Sequence, residues 1–237
     1  MGACIKKVFK VKHVMTLLAL YDFKDWTGIR KNVAKFIFNN ADVIFVEGDN
    51  GMNDLLGLSP IKTRIEKFNH WVDQDIYKPD ELKGNGINKV ILFVGRPIKE
   101  KGIEVVRGAE RILKDNNKYE FIYIENTPHK NLPKYYQMAD IVIVASLYPE
   151  GFARVVAEAA SCGCAVITSD RGSLPEMVEE FGRSIEMTPE NLAEEIRALC
   201  QEDKFSRLYS MKYSSYDYAM NNFSTKNAEG FLNEYKQ

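Results

Sequence analysis

The chain is short of several things that would assign it quickly. It has only 4 Cys and 3 His in 237 residues. So few thiols exclude a disulfide framework in a chain of this length. Cys162 and Cys164 adjoin at an apolar helix-to-strand junction, while Cys4 and Cys200 stand alone. They read as reduced, buried thiols of a cytoplasmic protein, and no His or Cys stands at metal-ligand spacing. His13, His70 and His129 are dispersed and are expected to be structural. No Gly-x-Gly-x-x-Gly follows a strand, which disfavours a nicotinamide or flavin site. A Gly-Lys-Ser/Thr phosphate loop and a Gly-x-Ser-x-Gly nucleophile elbow are also missing. No charge dominates: Lys plus Arg is 32 and Asp plus Glu is 33, for a net charge of −1. That balance gives no global case for nucleic-acid binding. Nor is there a long apolar run. Val14 to Tyr21 falls far short of the ~20 residues that span a bilayer, and no small-residue cleavage site follows it. It reads as a strand.

What is present is an ordinary globular composition, 45% hydrophobic and 27% charged, enough for one large domain or one and a half. Short Val-, Ile- and Phe-rich runs recur at His13–Leu20, Asp42–Glu47, Lys89–Gly95, Glu120–Glu125, Asp140–Ser146 and Ala165–Ser169. Most lack alternating polarity, so they predict strands buried on both faces of a parallel sheet. Segments of helical period lie between them. Ile29, Val33, Phe36 and Ile37 share one face of the first; Val105, Ala109, Ile112 and Leu113 share a face of a second. Phe152, Val155, Val156 and Ala159 do so in a third. This alternation predicts a doubly wound α/β fold.

The boundaries follow from composition. Residues 73–88 carry turn formers without apolar period and are expected to be a linker. Residues 1–72 then form a partial α/β domain, 89–202 a Rossmann-like domain, and 203–237 C-terminal helices. Thr188 is expected to cap a helix with Pro189 in its first turn. Residues 1–40 hold eight Lys/Arg against two acids. That excess reads either as a solvated basic face or as peripheral contact with an anionic membrane.

Open parallel sheets bind ligands at the carboxyl ends of their strands. After the Lys89 run comes Gly95-Arg96-Pro97-Ile98-Lys99-Glu100-Lys101-Gly102, a close turn with cations that suits a diphosphate or is simply a basic turn. After the Asp140 run, Glu150-Gly151-Phe152-Ala153 leads into a helix from Arg154, whose free amides favour an anion. Glu158 lies eight residues after Glu150 in that apolar helix, either bound to sugar hydroxyls or facing solvent. Glu176 favours the dipole of a short helix or holds the neighbouring loop in shape.

These stretches resemble the nucleotide-sugar glycosyltransferases of family 4, whose architecture is GT-B. Pro149 through Ile167 resembles that family's Glu-x7-Glu element and the strand after it, and Gly172-Ser173-Leu174-Pro175-Glu176 its downstream turn. Gly95-Arg96 with Lys101-Gly102 matches its cationic loop. Phe68 to Pro79 is similar to its interdomain connection, and Leu132 to Asp140 to the helix before its donor-site strand. Ala153 departs from the family's glycine, Ser173 replaces another, and the early acceptor-domain strands have no counterpart.

The resemblance implies a GT-B-like fold: one complete Rossmann-like donor domain plus a partial N-terminal α/β domain. It implies a metal-independent, retaining hexosyltransferase using a nucleoside-diphosphate sugar and a glycan or lipid-linked acceptor, with no cofactor. Arg96, Lys101 and Glu150 would be catalytic. Gly95, Gly151, Phe152, Ala153, Arg154 and Glu158 would bind substrate, with Glu158 on the ribose, and Glu125 and Asn126 near the base. A homodimer or a partner subunit would cover the short sheet's edge. A non-catalytic nucleotide-sugar-binding subunit and an epimerase are the competing readings.

Overall fold

The computed structural model describes residues 11–80, 88–114, 118–201 and 207–236. Cys4 and the basic residues before Val11 lie outside that set. The described chain builds two parallel sheets. The first holds β1 (Val14–Leu17), β2 (Val43–Glu47) and β3 (Arg64–Phe68), in that spatial order. The second holds β4 (Lys89–Val94), β5 (Tyr119–Ile124), β6 (Ile141–Val144), β7 (Ala165–Ser169) and β8 (Arg183–Ile185). Its order is β5-β4-β6-β7-β8.

That order fixes where a ligand fits. From β4 the chain first adds β5 on one side, then returns to place β6 on the other. The strand order therefore reverses between β4 and β6, which opens a crevice at their carboxyl ends. Nine helices cover the sheets among the described residues. They are α1 (Gly28–Asn39), α2 (Gly48–Leu56), α3 (Ile103–Leu113), α4 (Pro133–Met138), α5 (Arg154–Ser161), α6 (Leu174–Val178), α7 (Pro189–Leu199), α8 (Arg207–Asn222) and α9 (Glu229–Lys236). No helix of the described residues is long and apolar enough to cross a membrane.

Continuous apolarity in the strands has the expected cause. In β6, Ile141 and Ile143 join the core beneath α3 and α7, whereas Val142 and Val144 join the opposite core beneath α5 and α8. Successive side chains point to opposite faces, so a strand covered on both sides is apolar throughout. Thr188 caps α7, its Oγ1 accepting from the Asn191 amide at 3.2 Å. Cys162 and Cys164 are buried, and burial pushes the Cys200 thiol up to about 11.

Three departures have physical reasons. β3 and β8 add strands that apolar runs do not mark: Arg-Ile-Glu-Lys-Phe and Arg-Ser-Ile lie at sheet edges, where polar side chains reach water. In α1 the stripe of Ile29, Val33 and Phe36 faces outward, with Ile29 84% exposed, while Ala34 and Phe38 take the core positions. The polar stretch after β3 is not featureless. Val72 and Tyr77 pack into the core of the five-stranded sheet, and Tyr77 N donates to Asp73 O at 2.8 Å; residues 81–87 of that stretch lie outside the described ones.

The C-terminal helices return to the first sheet. Val72 N donates to Phe223 O at 2.9 Å, and Phe231 of α9 stacks on Phe45 with ring centroids 4.2 Å apart. The two sheets are also clasped directly. Glu176, at the start of α6, accepts from the Asp49 and Asn50 amides at 2.6 and 3.2 Å, at the start of α2. Four orphan amides open every helix, and here a carboxylate from the other sheet answers two of them. Glu176 thus does more than shape its own loop. Gly48 makes the approach possible: it sits at φ +61°, and a Cβ there would lie 2.5 Å from Glu176 Oε1.

Candidate functional site

The crevice between β4 and β6 is bordered by the two loops that the sequence singles out. The β4 loop begins as Gly95 N donates to Ile124 O at 3.1 Å. It tightens through Lys101 N to Ile98 O and ends at Gly102, φ +71°. A Cβ on Gly102 would fall 2.0 Å from Ala145 O, so only glycine lets this loop lie against the end of β6. Leu147 N then donates to Glu100 O at 2.8 Å, joining the two loops.

That joining brings Lys101 to Glu150. Lys101 Nζ lies 2.6 Å from Glu150 Oε1 and 5.0 Å from the centre of the Tyr148 ring. Glu150 is buried and also accepts from Ser146 Oγ. Burial works against a charged Lys101, but the hydrogen bonds to Glu150 and Tyr148 prevail and raise its pKa above the ordinary lysine value. A partly buried pair held by further hydrogen bonds is more fixed than a surface ion pair. The Glu150 backbone is fixed too: Ser173 N donates to its carbonyl at 2.8 Å. Arg96 is exposed on the same β4 loop.

Glu158 sits in a second cluster and is only 3% exposed. Tyr136 Oη donates to its Oε2 at 2.8 Å, and His129 Nε2 lies 2.9 Å from its Oε1. Arg154, one helical turn earlier, brings its guanidinium to 3.7 Å from the same oxygen and 3.1 Å from His129 Nε2. Tyr77 Oη lies 2.9 Å from that nitrogen. Burial, with the Glu158 charge adding to it, pushes the Tyr136 hydroxyl well above its ordinary pKa, so it stays a donor. The buried carboxyl thus has the partners its burial demands.

The other singled-out residues divide between these clusters and the surface. Gly151 approaches the first sheet, where a Cβ would meet the Ala19 backbone at 2.8 Å. Phe152 turns toward the first sheet and lies with its ring centroid 4.5 Å from that of His70. The buried Ala153 directs its amide toward Met177 Sδ at 3.5 Å. Glu125 pairs loosely with Arg107 at 3.9 Å, and Asn126 is an exposed residue at φ 50°.

Sequence reasoning did not single out Tyr136, Ser146 or Glu47, and it gave His129 and His70 a structural reading. His129 touches Glu158, and His70 Nδ1 lies 3.0 Å from the buried Glu47. The only available signal was the improbability of burying Glu47 or Glu158 without a partner. Nothing in the sequence names a partner 22 or 29 positions away, which only the folded chain brings close.

Residues 109–215 match the family described as glycosyl transferases group 1. Spore coat protein SA of Bacillus subtilis is 27% identical over 208 residues, 70% of this chain and 54% of that protein. The N-acetylgalactosamine-N,N'-diacetylbacillosaminyl-diphospho-undecaprenol 4-alpha-N-acetylgalactosaminyltransferase of Campylobacter jejuni is 24% identical over 217 residues, 78% of this chain and 58% of that protein. The chain therefore spans little more than half the length of these relatives. Among solved structures, Anabaena HepE in complex with UDP superposes with a TM-score of 0.81 at 16% identity, covering 98% of this chain and 74% of that one. Sucrose-phosphate synthase from Thermosynechococcus elongatus gives 0.77 at 20% identity, covering 100% and 70%. The fold is the GT-B fold of glycosyltransferases.

Proposed function

We propose that this chain is a glycosyltransferase that handles a nucleoside-diphosphate sugar at the crevice between β4 and β6. It would pass a hexosyl unit to a glycan or lipid-linked acceptor, with retention of configuration and without a metal. The observation that carries this reading is the Lys101–Glu150 pair, held at that crevice by two loops that hydrogen-bond each other. Its residues 89–202 act as the donor domain and residues 1–72 as the acceptor side, joined by 73–88 and braced by 203–237.

In this reading the bond from the anomeric carbon to the diphosphate breaks, and its electron pair leaves on the diphosphate oxygen. Lys101 and the exposed Arg96 stabilise the charge that grows there, and the free amides opening α5 add to them. Glu150 keeps Lys101 in place before substrate arrives, so little reorganisation accompanies the chemistry. It also takes hydroxyls of the transferred sugar, beside Gly95, Gly151, Phe152 and Ala153. Glu158 accepts the ribose diol, exchanging His129 and Arg154 for it while keeping Tyr136. Glu125 and Asn126 lie toward the base.

One observation favours a second reading, a binding subunit completed by another chain. Among the described residues β1 is an edge strand, and Ile29 and Val33 of α1 beside it are exposed. An uncovered parallel edge invites pairing.

Purified chain incubated with labelled nucleotide sugars, with and without lipid extract, separates the readings. Turnover supports transfer, and binding without turnover supports the subunit. Lys101→Ala is expected to lower turnover by about 10²–10³-fold, the usual loss for one preorganised charge-stabilising donor, with a smaller effect on donor affinity. An undiminished rate in that variant would refute its role.

A further inference from the structure

We infer that a small pocket between the two sheets receives the uncharged, hydroxyl-bearing end of the transferred sugar and selects neutral hexoses over uronic acids. This rests on the donor-site reading above and adds a part of the molecule that reading leaves unused.

The pocket has a volume of about 100 Å³ and opens beside Gly151 and Phe152, the loop that would hold the sugar. That is room for about three water molecules, so it fits one substituent of a sugar and not a whole acceptor. The first sheet contributes Glu47 and Phe68 to its lining. Glu47, at the end of β2, is 5% exposed, and His70 Nδ1 is turned toward it at 3.0 Å. Ser173 lines it as well; it is 3% exposed, and its Oγ has no hydrogen-bond partner among the described residues. A buried hydroxyl without a partner is costly, and a ligand hydroxyl would relieve that cost.

The polar groups around the cavity decide what can enter. Glu176 lines it as well, but both its oxygens already serve the α2 amides. His70, the one cationic candidate in the lining, is committed to Glu47. An entering carboxylate would face two acidic side chains with no free cation to compensate, whereas a hydroxyl can donate to Glu47 and accept from Ser173. Phe152 and Phe223 supply flat apolar walls for the C–H side of a sugar ring.

Isothermal titration of the full chain with matched donors tests this: UDP-glucose against UDP-glucuronate, GDP-mannose against GDP-mannuronate, and UDP, GDP, ADP, dTDP and CDP alone. In whichever pair shares the preferred base, the neutral donor should bind at least about tenfold tighter than its uronate. Glu47→Gln should shrink that ratio to about threefold or less, and Ser173→Val, which removes the hydroxyl and narrows the cavity, should weaken the neutral donor about tenfold while leaving the bare nucleotide within about twofold. Equal affinity for neutral donor and uronate, or a ratio indifferent to both substitutions, overturns the pocket's role and leaves the donor site standing. A chain that binds none of UDP, GDP, ADP, dTDP and CDP overturns the donor-site reading, and the pocket's role with it.

Discussion

The two sheets obey the same topology rule and differ in how completely they are covered. In the five-stranded sheet both faces are packed, and all four residues of β6 are buried. In the three-stranded sheet only the central β2 reaches that state. β1 and β3 are edge strands with exposed residues, and α1 turns half its apolar side chains outward. The difference teaches that an apolar run predicts a strand well, but an apolar helical face does not predict what covers it. The better-covered sheet carries the loops of the candidate site, where fixed geometry matters most. The less-covered one meets it through single contacts: the Glu176 clasp, the Gly151 approach and the His70–Phe152 ring pair.

The sharpest way to break this contrast is a matched pair of truncations. Ile143→Ala removes a fully buried side chain and should cost about 2–5 kcal/mol, whereas Ile65→Ala on the half-buried edge strand should cost about 1 kcal/mol or less. Urea denaturation measures both, and similar losses would mean that the sheets are equally packed.

The clasp comes next. Glu176→Ala leaves two α2 amides without their acceptor and should cost about 1–3 kcal/mol. Gly48→Ala should cost a similar amount, because its side chain would displace the same carboxylate. If the two act on one contact, the double variant costs clearly less than the sum. Strict additivity would argue that the sheets are held together elsewhere.

A smaller effect concerns acid. Glu234 of α9 meets Lys12 at 2.8 Å and also pairs with Arg64. Hydrogen bonds from Lys12 and then Arg64 hold its pKa below the ordinary carboxylate value. A carboxyl depressed by folding contributes stability that is complete above its unfolded pKa and lost as pH falls through the folded one. Glu234→Gln should therefore flatten the loss of stability below about pH 4.5, the usual range for a free glutamate, in urea midpoints measured against pH. The smallest change is Ile29→Ser on the exposed stripe, expected within about 0.5 kcal/mol of the parent. A larger loss would mean that this face is covered in solution.

Much of the five-stranded sheet's architecture was legible in the primary structure. Buried strands must be apolar on both faces, the turn residues between them punctuate the runs, and Thr188-Pro189 announces a helix start; each signal is local. The edge strands β3 and β8 were not legible, because exposure allows Arg, Glu, Lys and Ser where a core would forbid them. Nor was the direction of α1's stripe, which depends on what stands beside it.

The candidate site divides the same way. Gly102, Lys101, Glu150 and Glu158 could be named from their places after strands and along a helix. Which of them meet could not. Lys101 reaches Glu150 because Gly102 allows one loop to lie on another, and Glu158 is met by Tyr136 and His129 from a different helix and turn. Sequence alone determined the parallel α/β order and the residue types at the strand ends, since these follow from burial and backbone freedom along the chain. Only the tertiary structure decided the pairings, because hydrogen bonds and ion pairs act over about 3 Å and know nothing of separation in sequence.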